Sequence, residues 1–298
     1  MKKQLFSKIC HTIENPQQAS IGIFDSGLGG LTVLRELERQ LPNESIIYFA
    51  DTARLPYGTK SVQEIRQFVR EIMTWMARQN VKMAIIACNT ATAAALVSVR
   101  FEFGQFFPIL GTIAPVTRTT IQHCKRIGVI ATTATVTSNA YPKAFAELDS
   151  SIEVFQADCP ALVSLVENNC INHPNTTKIV RKCLKPLLRH QIDSLILGCT
   201  HFPHLAPTII KILPSFVKLI DPAVELVTAA DRKLEQLHLL NPGSPRPTQF
   251  YVSDRPEEFA RRAKPLLGFT PVVVKISLPT VQKSLIAATL DTPLAIVG

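Results

Sequence analysis

Two stretches of this chain repeat one pattern, and that pattern restricts the fold more than any other feature of the sequence. Ile85-Ile86-Ala87-Cys88-Asn89-Thr90 and Ile196-Leu197-Gly198-Cys199-Thr200-His201 each place an apolar run, a small residue and a cysteine in front of hydrogen-bonding side chains. A short apolar run that stops in this way reads as a buried strand ending in a loop. In parallel α/β sheets, ligands bind beyond the carboxyl ends of the strands. Two thiols delivered there, one by each half of a duplicated chain, would face each other across one small substrate. That pair suits a reaction needing a proton acceptor on one side and a proton donor on the other.

The repetition extends upstream. Ile127-Gly128-Val129-Ile130-Ala131-Thr132 echoes Ile21-Gly22-Ile23-Phe24-Asp25-Ser26, and each Ile-Gly strand precedes its Cys-bearing strand by a nearly equal length of chain. The match points to duplication of a β/α unit. Strand candidates Ile21 to Phe24, Ile46 to Ala50 and Met83 to Ala87 alternate with helix candidates Leu31 to Gln40, Ser61 to Arg78 and Thr90 to Arg100. Ser61 with Glu64 three residues on predicts a capped helix start. A second cycle runs to Cys199. Strands at Gln249 to Val252 and Pro271 to Ile276, with a helix from Pro256, form a tail expected to pack back on the first half. Alternating β and α predicts parallel sheets covered by helices, with a boundary near Ala114-Pro115.

Bulk properties narrow the class. The 298 residues suffice for two domains, and 46% hydrophobic with 18% charged content is that of a globular chain. No apolar run reaches the roughly 20 residues that span a bilayer. Residues 1–19 carry Lys2, Lys3 and Lys8 without the apolar stretch of a secretory signal, and read as an N-terminal extension. Seven scattered cysteines, an odd number, argue for reduced thiols and a cytoplasmic address. The net charge of +9 suits an acidic substrate or nonspecific nucleic-acid binding, and does not choose between them. Lys178, Arg181, Lys182, Lys185 and Arg189 share a helix face that reads as solvated, and Pro186 is expected to kink or interrupt that helix.

Several loops carry chemistry. Asp25-Ser26-Gly27-Leu28-Gly29-Gly30 lies between a strand and a helix, where free N–H groups attract an anion. It is not a dinucleotide fingerprint, because Thr32 stands at the last glycine position. Asp51-Thr52-Ala53-Arg54-Leu55-Pro56-Tyr57-Gly58 offers the Tyr57 hydroxyl and a close backbone approach at Gly58. Cys88 and Cys199 each precede a helix, whose N-terminus is expected to favour the thiolate. Asn89, Thr90 and Thr200 could hold a carboxylate. Cys199, His201 and His204 match none of the usual zinc spacings, so no metal is expected.

These motifs resemble the glutamate racemases of the cofactor-independent aspartate/glutamate racemase superfamily. The likeness runs from about Ile21 to Asp221, carried by Phe24 to Gly30, Asp51 to Gly58, Ala87 to Ala91 and Leu197 to Pro203, and weakens at Ser253-Asp254. It implies two similar parallel-sheet α/β domains related by pseudo-two-fold duplication, with the active site in the cleft between them. Residues 20–114 with 223–298 would form the first domain and 115–222 the second.

Cys88 and Cys199 match the two catalytic thiols, assisted by Asp25 and His201, and Glu167 matches a family glutamate near the second thiol. Asp25, Ser26, Tyr57, Gly58, Asn89, Thr90, Thr200 and His201 match the substrate-binding positions. The resemblance further implies L-/D-glutamate as substrate, no cofactor, a homodimer and a role in peptidoglycan synthesis. It leaves a DNA gyrase contact open, which the residues do not support. The chain departs from the family at Ala114-Pro115-Val116, at Pro222-Ala223-Val224, at Phe202 and at His204. Two alternatives stand beside this reading: a racemase of aspartate or another amino acid, and a basic binding protein acting on a DNA-handling partner with weak catalysis.

Overall fold

In this computed structural model the described residues are 15–278. The elements run β1 (Ile21–Asp25), α1 (Leu31–Gln40), β2 (Ile46–Ala50), α2 (Val62–Arg78), β3 (Met83–Ile86), α3 (Asn89–Phe103), β4 (Ile109–Gly111) and α4 (Ile113–Thr120). There follow β5 (Arg126–Ala131), α5 (Thr133–Ser138), α6 (Ala140–Ala146), β6 (Glu153–Asp158), α7 (Pro160–Glu167), α8 (Thr176–Leu188), β7 (Ser194–Gly198), α9 (Ala206–Ile210) and β8 (Lys218–Ile220). The chain continues with α10 (Pro222–Gln236), β9 (Gln249–Val252), α11 (Pro256–Leu267) and β10 (Val273–Lys275).

The strands form two sheets whose pairings are all parallel. One has the order β10-β9-β2-β1-β3-β4 and the other β6-β5-β7-β8. The segment β2-β1-β3-β4 thus has the same order as β6-β5-β7-β8, which is the duplication read from the Ile-Gly and Cys motifs. Every residue of β1, β2, β3 and β7 is buried. That is why these strands read as continuous apolar runs rather than alternating ones: helices cover both faces of a parallel sheet.

Each sheet is the middle of a sandwich. Leu31, Leu34 and Leu37 of α1 pack with Leu226 and Val227 of α10 on one face of the first sheet, and Ile65, Val69 and Ile72 of α2 with Val99 of α3 on the other. On the second sheet, Val180 and Leu184 of α8 cover one face, and Val116 of α4 with Tyr141 and Phe145 of α6 the other. So α4 already packs on the second sheet, and Ala114 and Pro115 lie inside it rather than in a linker. The chain returns through α10, and Thr119 Oγ1 of α4 donates to Glu225 Oε2 of α10 at 2.7 Å where the two crossings touch.

Local chemistry accounts for the helix ends. At α2, Ser61 Oγ accepts from Glu64 N and the Glu64 carboxylate accepts from Ser61 N, the reciprocal cap that the sequence predicts. The expectation for Pro186 needs correction. Helix α8 is not interrupted there but runs on to Leu188; Pro186 forfeits the bond to the Lys182 carbonyl, and only two helical residues follow it.

Among the described residues no helix is long and apolar enough to cross a membrane.

Candidate active site

The topology sets β1 beside β3 in one sheet and β5 beside β7 at the equivalent place in the other. Cys88 follows β3 and Cys199 follows β7, each beyond the carboxyl end of a strand beside a point where the strand order reverses. Both thiols are buried.

Cys88 is the N-cap of α3. Its Sγ accepts from Ala91 N at 3.5 Å and lies 3.8 Å from Ser26 Oγ. Here the expected thiolate stabilisation fails. Burial first, then the Asp25 charge, pushes the Cys88 thiol up to about 12, outweighing the Ala91 N–H. Without a bound cation, Cys88 rests as the thiol.

The Cys199 side is built differently. Cys199 Sγ lies 3.6 Å from His201 Nδ1, and His201 Nε2 lies 2.5 Å from Glu167 Oε1. Burial opposes the imidazolium, but the hydrogen bonds and negative charges of Cys199 and Glu167 prevail and raise the His201 pKa well above its usual value. Burial likewise opposes ionised Glu167, and the His201 contact overrides it, holding the carboxyl below the usual range. The result is a charged pair behind one thiol and none behind the other.

Asp25 ties the two sides together. It is fully buried, its Oδ2 accepting from Gly27 N at 2.9 Å and its Oδ1 from Thr200 Oγ1 at 3.2 Å. Burial raises its pKa, against the lowering by the His201 charge.

The glycines of the first loop are there for space. A Cβ on Gly29 would lie 2.4 Å from Thr200 Oγ1 and 2.7 Å from His201 Nδ1, and one on Gly30 would lie 2.5 Å from Asp25 Cβ. Gly29→Ala is therefore expected to displace Thr200 and His201 and to lower kcat/KM by about 10²-fold, the cost of roughly 1 Å of misplacement. Gly243→Ala, whose Cβ would meet Asn241 Oδ1 at 3.6 Å, is expected to leave the rate unchanged. Parallel turnover assays of the two variants check this, and equal rates would contradict it.

Other sequence-predicted residues divide into two kinds. Asn89 Oδ1 accepts from Thr112 Oγ1 at 2.8 Å and from Tyr141 OH at 2.7 Å, so its oxygen is engaged within the protein. Thr90 Oγ1 joins Thr132 Oγ1 at 2.8 Å and Thr135 Oγ1 at 3.2 Å, a hydroxyl cluster linking α3 to the start of α5. A Cβ on Gly58 would lie 3.0 Å from Thr132 Cβ, so the backbone passes close to that residue. Tyr57, by contrast, donates its hydroxyl to Asp51 Oδ2 at 2.5 Å and serves the loop that Arg54 also braces through Asp51.

Thr112, Thr132, Thr135 and Tyr141 were not singled out in the sequence. A signal existed for Thr132, since it occupies the position of Ser26 in the second Ile-Gly repeat. Cys124 is buried in the apolar layer of α4 and α6, Cys159 is buried in the same apolar cluster as Cys199, Cys170 and Cys183 are partly buried, and Cys10 lies outside the described residues.

Known proteins share this arrangement of chain. The sequence matches the Asp/Glu/hydantoin racemase family over residues 21–230. A glutamate racemase of Microcystis aeruginosa is 54% identical over 90% of this chain and 95% of its own. One from Nostoc is 52% identical over 91% of this chain and 92% of its own. Among solved structures, a glutamate racemase isoform from Bacillus anthracis superposes with a TM-score of 0.85 at 38% identity, covering 89% of this chain and 100% of its own. The glutamate racemase of Francisella tularensis, solved with D-glutamate, gives 0.82 at 36% identity, covering 88% of this chain and 98% of its own. With that match spanning both Cys-bearing repeats, the chain belongs to the Asp/Glu/hydantoin racemase family.

Proposed function

We propose that this chain is a glutamate racemase, interconverting L- and D-glutamate by proton transfer at the α-carbon between Cys88 and Cys199. The observation that carries the reading is the pair of buried thiols at equivalent strand ends of two sheets with one strand order.

Inversion requires removal of a proton from one face and delivery to the other. One thiolate acts as general base while the opposite thiol acts as general acid, and the roles exchange in reverse. Cys88, held as a thiol by burial, needs a cation to become the base, and the α-ammonium of the substrate is one. Cys88 is assigned to D-glutamate and Cys199 to L-glutamate. On the Cys199 side, His201 and Glu167 stabilise a thiolate or return a proton to it. Asp25 is assigned to assist the Cys88 face.

The donors divide the substrate's charges. Ser26, Asn89, Thr90 and Thr200 are assigned to its carboxylates, with Gly58 and the Tyr57 loop closing the wall. Preorganised donors also stabilise the charge that develops as the α-proton leaves. No cofactor or metal takes part in this scheme. The division into residues 20–114 with 223–298 and residues 115–222, a homodimer, a cytoplasmic address and supply of D-glutamate to peptidoglycan synthesis complete the reading. A DNA gyrase contact is no part of it.

The test is a substrate panel. Purified protein incubated separately with L-glutamate, D-glutamate, L-aspartate and L-alanine is followed by chiral chromatography. Both glutamates are expected to reach equal mixtures while aspartate and alanine stay unconverted. Faster turnover of aspartate would overturn the assignment of substrate.

A further inference from the structure

The network behind Cys199 has one member from outside its own sheet. Glu167 ends α7 in the second half of the chain, and one of its oxygens contacts His201. Its other oxygen, Oε2, lies 3.6 Å from Nη1 of Arg262. Arg262 belongs to α11, whose Phe259 and Ala263 sit in the core of the first sheet. Its Nη2 is anchored one turn back by Glu258 Oε1 at 2.6 Å. The guanidinium is thus fixed to its own helix and reaches across to the far side.

We propose that Arg262 is a positioning residue for the racemisation described above: it fixes the Glu167 carboxylate against His201 and makes the acid/base competence of Cys199 depend on the docking of α11. This inference rests on the proposed function and adds a residue that none of the sequence motifs contains.

The physical argument is one of orientation and alternating charge. A carboxylate held through one oxygen can swing about its last carbon–carbon bond, whereas one held at both oxygens by two cations has a single orientation. Arg262, Glu167 and His201 alternate in sign, and each favours the charged form of the next. The titratable and charged groups around His201 are Cys199 and Glu167, with Asp25 and His204 also in electrostatic reach. His204 does not compete for this role, because burial, then the charges of His201 and Arg35, pushes it down to about 4 and leaves it neutral near pH 7. The Leu28 backbone N–H adds a second donor to Glu167.

The surroundings allow a clean substitution. A cavity of about 330 Å³ lies on the outer side of Glu167, bordered by Leu28, Asn168, Arg261 and Leu266 as well as Arg262. Shortening or neutralising the Arg262 side chain therefore removes a charge beside an existing space rather than opening a sealed void.

The experiment compares wild type, Arg262→Gln and Arg262→Lys, each checked for an unchanged thermal midpoint. Arg262→Gln is expected to lower kcat about tenfold with KM altered far less, a fraction of what a general acid/base contributes. Glu167 stays ionised where His201 titrates with or without Arg262, so the variant acts through orientation: a Glu167 carboxylate free to turn from His201 supports the imidazolium less. Activity that needs protonated His201 fades as pH rises through its pKa, so the alkaline limb of kcat/KM should move about one pH unit lower. The His201 ring titration, followed by NMR without substrate, should move with it, and Arg262→Lys should restore most of both.

Full activity in Arg262→Gln would overturn the proposal. So would a loss with unmoved pH limb and His201 titration that Lys does not rescue, which would assign Arg262 to scaffold alone. The substrate-free titration separates this idea from the proposed function: wild type failing to racemise glutamate sinks the latter while the NMR comparison still decides the Arg262 link.

Discussion

Cys88→Ser and Cys199→Ser are each expected to lower kcat/KM for glutamate racemisation by on the order of 10³-fold, within the range that general acid–base groups contribute. Serine keeps the size of the side chain and removes an effective proton-transfer group. The two enantiomers have equal free energies, so the equilibrium constant is one and each variant must lose kcat/KM equally in both directions. Asymmetry has to be sought in partial reactions instead. With Cys88 intact, Cys199→Ser should exchange the α-proton of D-glutamate with deuterated water more than that of L-glutamate. Cys88→Ser should show the opposite preference. The contrast is expected because the thiol that remains in each variant serves only one face of the α-carbon. Wild-type racemisation by either variant would contradict the assignment of the two bases.

Lys82→Met is expected to give the largest loss of stability, about 3–5 kcal/mol, which is typical when one partner of a buried ion pair is removed. Lys82 Nζ lies 2.5 Å from Glu44 Oε2, with both side chains at most 2% exposed. It also donates to the carbonyls of Gln17 at 2.6 Å and Leu239 at 2.7 Å, while Glu44 Oε1 accepts from Asn241 N. One ammonium therefore joins the segment entering β1, the start of β3 and the return after α10. Removing it strands a carboxylate and two carbonyls in the interior. Urea unfolding with equal slopes for the two proteins would measure the loss, and a change below about 1 kcal/mol, the range of exposed pairs, would contradict the account.

How much of this could be read from the sequence follows from the kind of interaction involved. Strand β2 and the start of α11 stand where the sequence places them, because a fully buried parallel strand is a bare apolar run and Pro256 suits the first turn of a helix. The Cys-bearing strand ends were legible because the chain states them twice. The hydroxyl cluster at Thr132 and Thr135 was not, since threonines at the start of a short helix look like caps, and Thr132 is one as well. The direction of the Cys88 shift was hidden because sequence names the helix N-terminus but not the depth of burial that outweighs it. Arg262 lay beyond reach for a different reason. Its contact with Glu167 joins residues far apart in the chain, on different halves of the fold, and nothing in the sequence around Arg262 marks it.

The central claim is that two thiols serve opposite faces of one carbon, and one measurement addresses it directly. Chelator-dialysed protein without added cofactor is mixed with L-glutamate in deuterated water, and both enantiomers are separated and analysed for α-deuterium at low conversion. The account predicts that D-glutamate forms carrying solvent deuterium while the remaining L-glutamate keeps its proton, because the acid that delivers is not the base that removed. D-glutamate bearing the original proton, or conversion that requires added pyridoxal phosphate or zinc, would contradict it.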